Sequence, residues 1–174
     1  MTDKSLSTPV LIAGGGPVGI TLAIELGQRG VDCILLNDNL KTAQHPKANA
    51  ISSRSMEHFR RLGIANTIRS AGLDDDHPTD VAYFTSLDGY EIGRLEQPSR
   101  RDALRDARTD QSPWASPEPP HRLSQIFLER NLKQMADRLD SIDVRFGWSL
   151  ESFHDDENSV SAVAHNVSTD AKVT

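Results

Sequence analysis

A glycine-rich turn held between two apolar runs constrains this chain more than any other feature. Val10-Leu11-Ile12-Ala13 reads as a short buried strand, and Gly14-Gly15-Gly16-Pro17-Val18-Gly19 follows it directly. The segment from Pro17 to Arg29 has helical character and is closed by Gly30; Val31 to Leu36 is a second apolar run. Strand, glycine turn, helix and strand, in that order, form the context a dinucleotide-binding turn needs. Gly14 lets the chain leave the strand sharply, Gly16 lets backbone approach a pyrophosphate with no Cβ in the way, and Gly19 lets the helix pack closely on the sheet. Pro17 suits a first helical position, where its missing N–H costs nothing. The unpaired N–H groups and positive dipole end of the helix, starting at Val18, then face a phosphate.

The second half of such a site is an acidic residue about 20 positions on that holds the ribose hydroxyls. Here the second strand ends in Asn37, followed by Asp38. The Asn37 amide bonds a hydroxyl without the charge assistance a carboxylate gives, and Asp38 substitutes if the strand has ended before it. Asn37-Asp38-Asn39 also reads as a plain turn. With no arginine close by, no reader of a 2′-phosphate is evident.

Length and composition bound the rest. A chain of 174 residues is long enough for a sizeable core. Its net charge of −6 and lack of a basic run argue against a surface that tracks nucleic-acid phosphates. The single cysteine, Cys33, excludes an internal disulfide and, lying in an apolar strand, reads as an inert buried thiol. The six histidines are dispersed and give a metal site little support. Val10 to Leu26 is apolar, but the glycines, Pro17 and Glu25 interrupt it, and Met1-Thr2-Asp3-Lys4 is not a basic leader. The expectation is a soluble cytoplasmic protein with neither a membrane nor a nucleic-acid partner.

Along the chain, Lys41 to Ile51 reads as irregular. Ser52 or Ser53 caps a helix to about Leu62 with Met56, Phe59 and Leu62 on its buried face; Gly63 ends it, and a short helix over Ile64 to Ala71 follows. Val81 to Thr85 and Tyr90 to Leu95 read as a hairpin around Asp88-Gly89. Gln97 to Pro120 is rich in Pro, Ser, Arg and Asp and reads as a long loop. Ser124 then caps an amphipathic helix with Leu128, Leu132, Met135, Ala136 and Leu139 as its apolar stripe and Glu129–Lys133 as an i,i+4 pair. Strands over Ile142 to Phe146, Ser149 to His154 and Val160 to Val167 finish the chain. The expected division is 1–80, a dinucleotide-type βαβ unit with following helices; 81–119, a hairpin and long loop; and 120–174, a continuation of the first part.

Two further segments carry polar groups suited to a ligand. In His45-Pro46-Lys47-Ala48-Asn49, Pro46 holds His45 extended and Lys47 presents a cation not far along the chain from the glycine turn. In Pro120-His121-Arg122-Leu123-Ser124-Gln125, Arg122 and Gln125 stand at a helix start. By position alone, Lys47 and Arg54 also fit solvated surface charges, and Arg122 and Gln125 ordinary capping.

These segments together resemble the N-terminal part of the class A flavoprotein aromatic hydroxylases, of the phenol-hydroxylase and hydroxyphenylpropionate-hydroxylase type. The blocks carrying the resemblance are Val10 to Ala23, His45 to Asn49, Arg54-Ser55-Met56-Glu57 with Arg60 to Gly63, and Pro120 to Gln125 with Leu128-Glu129. The resemblance implies a Rossmann-like α/β domain of the glutathione-reductase type, incomplete, with a small hairpin from the substrate domain inserted. It implies FAD as the dinucleotide, with Gly14, Gly16 and Gly19 near the pyrophosphate and Asn37 where the family carries a ribose-binding acid. Lys47 stands where the family more often has an arginine near the cofactor, and keeps the charge without the planar fork. Gln125 matches a glutamine that touches the cofactor, with Arg122 its neighbour.

The same resemblance implies NAD(P)H as co-substrate, a small phenolic or aromatic substrate, and oxygen chemistry supplied by the flavin. The family's later Asp-Gly and Gly-Asp motifs do not occur here in context, so the chain reads as incomplete and not competent alone, with a complementing chain or a second copy as partner. No residue reads as a general acid or base, and none is assigned a catalytic role. Two alternatives stay open: an NAD(P)-dependent oxidoreductase using the same turn, and a non-enzymatic remnant.

Overall fold

The computed structural model describes residues 5–45, 47–107, 116–169 and 171–174. Its elements, in chain order, begin with β1 (Val10–Ala13), α1 (Pro17–Gly27), β2 (Cys33–Asn37), β3 (Ala50–Ile51), α2 (Ser53–Arg61) and α3 (Ala65–Ser70). There follow β4 (Val81–Phe84), β5 (Glu91–Leu95), α4 (Arg100–Asp106), β6 (His121–Arg122) and α5 (Gln125–Ala136). The chain closes with β7 (Ile142–Phe146), β8 (Trp148–Asp155), β9 (Val160–Asn166) and β10 (Lys172–Val173). Two compact units form: Met1–Lys47 with Gln125–Thr174, and Ala48–Ser124. The sequence reading drew its lines at 80 and 119 instead.

In the first unit β1, β2 and β7 make a parallel sheet in that order, with Ile12 level with Leu35 and Leu35 level with Val144. β2 is the middle strand and buries residues on both its faces, Cys33 and Leu35 on one and Leu36 on the other, which is why it reads as an unbroken apolar run. Leu35 is fully buried, and Cys33 and Leu36 nearly so. Burial, with Asp32 adding to it, pushes the Cys33 thiol above its ordinary range, as an inert core thiol requires. Helix α1 buries Ile20, Ala23 and Ile24. It packs against α5, which buries Leu128, Leu132 and Ala136. Strands β8, β9 and β10 form a separate antiparallel meander.

In the second unit the Ser52 hydroxyl accepts the Ser55 N–H at 3.2 Å and starts α2, whose Met56 and Phe59 are buried. Gly63, at φ +78°, ends that helical segment in a conformation L side chains rarely adopt. Strands β3 and β6 pair antiparallel, as do β4 and β5. Arg69, nearly buried, pairs with Glu118 at 2.6 Å.

Several local expectations need correction. The first helix ends at Gly27 rather than Arg29, and the second strand runs from Cys33 through Asn37. The supposed loop from 97 to 120 contains α4, started by the Ser99 hydroxyl accepting the Asp102 N–H at 3.2 Å; its residues 108–115 lie outside the described set. The irregular stretch after Lys41 ends in β3, because Ala50 and Ile51 find partners in β6 seventy residues on. Met135 and Leu139 are half-buried rather than core. Among the described residues no helix is long and apolar enough to cross a membrane.

Candidate functional site

The glycine turn opens onto a cleft in the first unit. The chain leaves β1 through Gly14, at φ +119°, whose N–H donates to the Leu36 carbonyl at 2.8 Å and ties the turn to β2. Gly19 comes so close beneath it that a Cβ there would stand 1.9 Å from the Gly14 carbonyl oxygen. Only glycine lets α1 start this near the strand it follows. Gly16 differs: a Cβ there would meet nothing within 4 Å. It occupies the helix N-cap with extended backbone and no side-chain hydrogen bond, and the first turn carries no acidic residue. The first-turn N–H groups are thus left for an anion from outside the helix.

The cleft holds about 770 Å³ and is lined by Gly14 to Gly16, Asn37 to His45, Lys47, Gln125 and Glu129. Pro17, Val18 and Gly19 follow the turn into α1 and are not among its lining residues. The half-buried Asn37 sits at the last position of β2, where its Oδ1 accepts the Gly15 N–H at 3.2 Å and its Nδ2 donates to the Asn39 carbonyl at 3.3 Å. Asp38 is exposed, and its Oδ1 accepts from the Asn39 amide at 2.8 Å. Lys41, His45 and Lys47 are three basic residues among those lining the cleft, while Pro46, expected to hold His45 extended, lies outside the described residues.

Arg122 is not part of this cleft. It belongs to the second unit, where its guanidinium donates to the Thr79 carbonyl at 2.6 Å and to the Asn49 side chain at 3.4 Å. A long hydrogen-bonding side chain near a helix start reads the same in sequence whether it meets a ligand or its own backbone. Arg54 is exposed and pairs with Glu57 at 2.8 Å.

Glu129 is the residue that sequence reasoning misassigned. Lys133, its expected partner, pairs with Asp137 at 2.7 Å. The Glu129 side chain is instead buried, at 5% exposure. Its Oε2 accepts the Ala43 N–H at 2.7 Å and its Oε1 accepts from the Gln125 amide at 2.6 Å. The available signal was its place one position after Leu128 in the apolar stripe, on the face turned inward.

The chain matches the family described as FAD binding domain over residues 7–174, and it belongs to that family. It is 33% identical over 166 residues to an FAD-dependent monooxygenase, apdD, of Emericella nidulans, covering 94% of this chain and 27% of that protein. It is 30% identical over 161 residues to a phenol 2-monooxygenase of a Pseudomonas species, covering 92% of this chain and 26% of that protein. The crystal structure of the flavin-dependent monooxygenase PieE with FAD and substrate superposes with a TM-score of 0.80 at 29% identity, over 99% of this chain and 29% of that one. This is therefore the FAD-binding α/β fold of the class A flavoprotein aromatic hydroxylases. The chain spans between 26% and 29% of the length of these three relatives.

The cleft fits that cofactor on its own evidence. An uncapped helix start beside open space suits a diphosphate, a polar strand end suits a ribose, and the basic residues in the lining suit the net negative charge.

Proposed function

We propose that this chain supplies the adenosine-and-diphosphate part of the FAD site of an NAD(P)H-dependent monooxygenase that hydroxylates a phenolic or other aromatic substrate. The observation that carries the reading is the empty space in front of Gly16 at an uncapped helix start. In this reading the N–H groups behind Gly16 take the diphosphate oxygens, Asn37 takes the adenosine ribose, and Lys47 neutralises charge along the bridge. Gln125 bonds a polar edge of the cofactor. When bound, the flavin supplies the redox and oxygen chemistry. The chain's own groups bind and orient it, and none of them moves a proton.

The hairpin β4–β5 belongs, in this reading, to a substrate-domain sheet inserted into an incomplete FAD domain. Its supporting observation is the exposure of Tyr83, Phe84, Tyr90, Ile92 and Leu95. A two-stranded ribbon with that much bare apolar surface is marginal without further strands. The chain alone is accordingly not competent for turnover, and a complementing chain or a second copy is the partner that restores cover.

The test is a visible spectrum of the purified chain after addition of FAD and removal of excess. Flavin absorbance near one equivalent is expected, with no NADH or NADPH oxidation when a phenol is added. A colourless protein that takes up NAD instead would establish the NAD(P)-dependent alternative. A folded protein that takes up neither would overturn both.

A further inference from the structure

We propose that Glu129 is a positioning residue that clamps the cation-bearing loop to α5 and fixes which atoms of Gln125 are offered to the ligand; this rests on the cofactor reading above. The segment after β2 contributes Lys41, His45 and Lys47 to the lining of the cleft. Near its start, the Asn39 carbonyl accepts the Gly147 N–H at 3.0 Å. Its middle is tied to α5 by the Ala43 N–H, which donates to Glu129 Oε2 at 2.7 Å across 86 residues of sequence. A carboxylate is a costly group to bury, and its burial is tolerated where both oxygens are met by donors.

The second donor is Gln125. The Gln125 amide turns its NH2 group to Glu129 and donates to Oε1 at 2.6 Å. That leaves the Gln125 carbonyl oxygen uncommitted to Glu129 and available to a donor on the ligand. One buried carboxylate therefore sets two things at once, the seat of the loop and the polarity of the Gln125 side chain.

Two substitutions separate these roles. Glu129→Ala removes both bonds. Hydrogen exchange at the Ala43 amide, measured without any nucleotide, is expected to speed up at least about tenfold, and FAD affinity to fall by a similar factor. Glu129→Gln keeps an oxygen for the Ala43 N–H but turns its own NH2 toward Gln125, forcing that amide to reverse. Ala43 exchange should then stay near the wild-type rate while FAD affinity still falls about tenfold. A merely structural role would move both readouts together. In the Glu129→Ala background, Gln125→Ala should add little further loss of FAD affinity.

Unchanged Ala43 exchange in Glu129→Ala overturns the clamp. Unchanged FAD affinity in Glu129→Gln overturns the orienting role, and that isosteric variant serves if the alanine variant proves unfolded by circular dichroism. Wild-type protein that leaves FAD free overturns the cofactor reading, whereas the clamp is still decided by the exchange rates.

Discussion

Strands β2 and β5 are both five residues long, and they live in opposite conditions. β2 is paired on both edges and buries Cys33, Leu35 and Leu36. β5 has β4 as its only partner among the described residues, and every one of its residues is exposed, Ile92 at 71% and Leu95 at 56%. The sequences differ accordingly: Cys-Ile-Leu-Leu-Asn is apolar until its last residue, whereas Glu-Ile-Gly-Arg-Leu mixes polar and apolar residues and its register against β4 shifts at Ile92. The lesson is about where a site can be built. Asn37 stands at the end of a strand paired on both edges, and the glycine turn at the end of β1 is tied to that strand by the Gly14 N–H on the Leu36 carbonyl.

The largest expected effect tests that contrast directly. Leu35→Ala should cost about 2–5 kcal/mol, since the side chain is fully buried and its neighbours collapse only partly into the gap. Ile92→Ala in β5 should stay within about 0.5 kcal/mol. Urea midpoints for the two variants check this, and similar losses would break the comparison by showing β5 to be covered in solution.

Next in size is a contrast within the turn itself. Gly19→Ala forces a methyl group onto the Gly14 carbonyl and should cost about 1–3 kcal/mol as α1 is pushed off the strand. Gly16→Val sets its Cβ where nothing lies within 4 Å, on a backbone that any residue adopts, so the variant should stay folded and lose less stability than Gly19→Ala, the loss coming from a poorer N-cap residue. Its FAD binding should nevertheless be abolished, because the side chain takes the diphosphate's place. A folded Gly16→Val protein with unchanged affinity would refute the location given to the diphosphate.

The second unit is not uniformly loose, and pH sharpens that point. His121 in β6 is 5% exposed, and burial, helped by the nearby Arg69 and Arg100 cations, holds its imidazole below the ordinary histidine range. Its hydrogen bond to the Ile68 backbone and the Asp75 carboxylate oppose that shift without cancelling it. As pH falls from neutral, the unfolded chain takes up this proton before the folded one does. Stability should therefore drop as pH goes down through about 6.5, by at most about 1.4 kcal/mol per pH unit for this one group. His121→Gln should flatten the profile in that window. An equally steep profile in the variant would assign the dependence to another histidine.

Legibility in the sequence followed the same divide between local and distant causes. β1, the turn, α1 and β2 were readable because each is decided by neighbours in the chain: an apolar run, a proline at the first helical position, glycines at a bend. The hairpin at Asp88-Gly89 was readable for the same reason. α4 was missed because Pro98 and the charged residues around it mask a short helix whose signal is one capping serine, Ser99. β3 and β6 were missed because two-residue strands have no periodicity and exist only through each other. The pairing of Glu129 with Ala43 spans 86 residues and no local rule contains it, whereas Glu129–Lys133 satisfied a local rule and does not form. Gly15, given no task in the sequence, proves to be where a Cβ would stand 2.6 Å from Asn37 Cβ, so the turn and the end of β2 interlock.

That interlock sets the smallest effect, at Asn37. Its Oδ1 accepts the Gly15 N–H and its Nδ2 donates to the Asn39 carbonyl. Asn37→Asp keeps the acceptor, strengthens it with a charge, and loses only an exposed bond of 3.3 Å. If Asn37 meets the adenosine ribose, the carboxylate should tighten FAD binding by roughly fivefold, about 1 kcal/mol, the difference between a neutral and a charged acceptor. Flavin-fluorescence titration at matched salt reads this, and Glu91→Gln at the start of β5 should leave the same titration unmoved. Weaker binding in Asn37→Asp would instead mean that the amide's donor is what holds the ligand, and that this chain departs from a carboxylate at that position for a reason of its own.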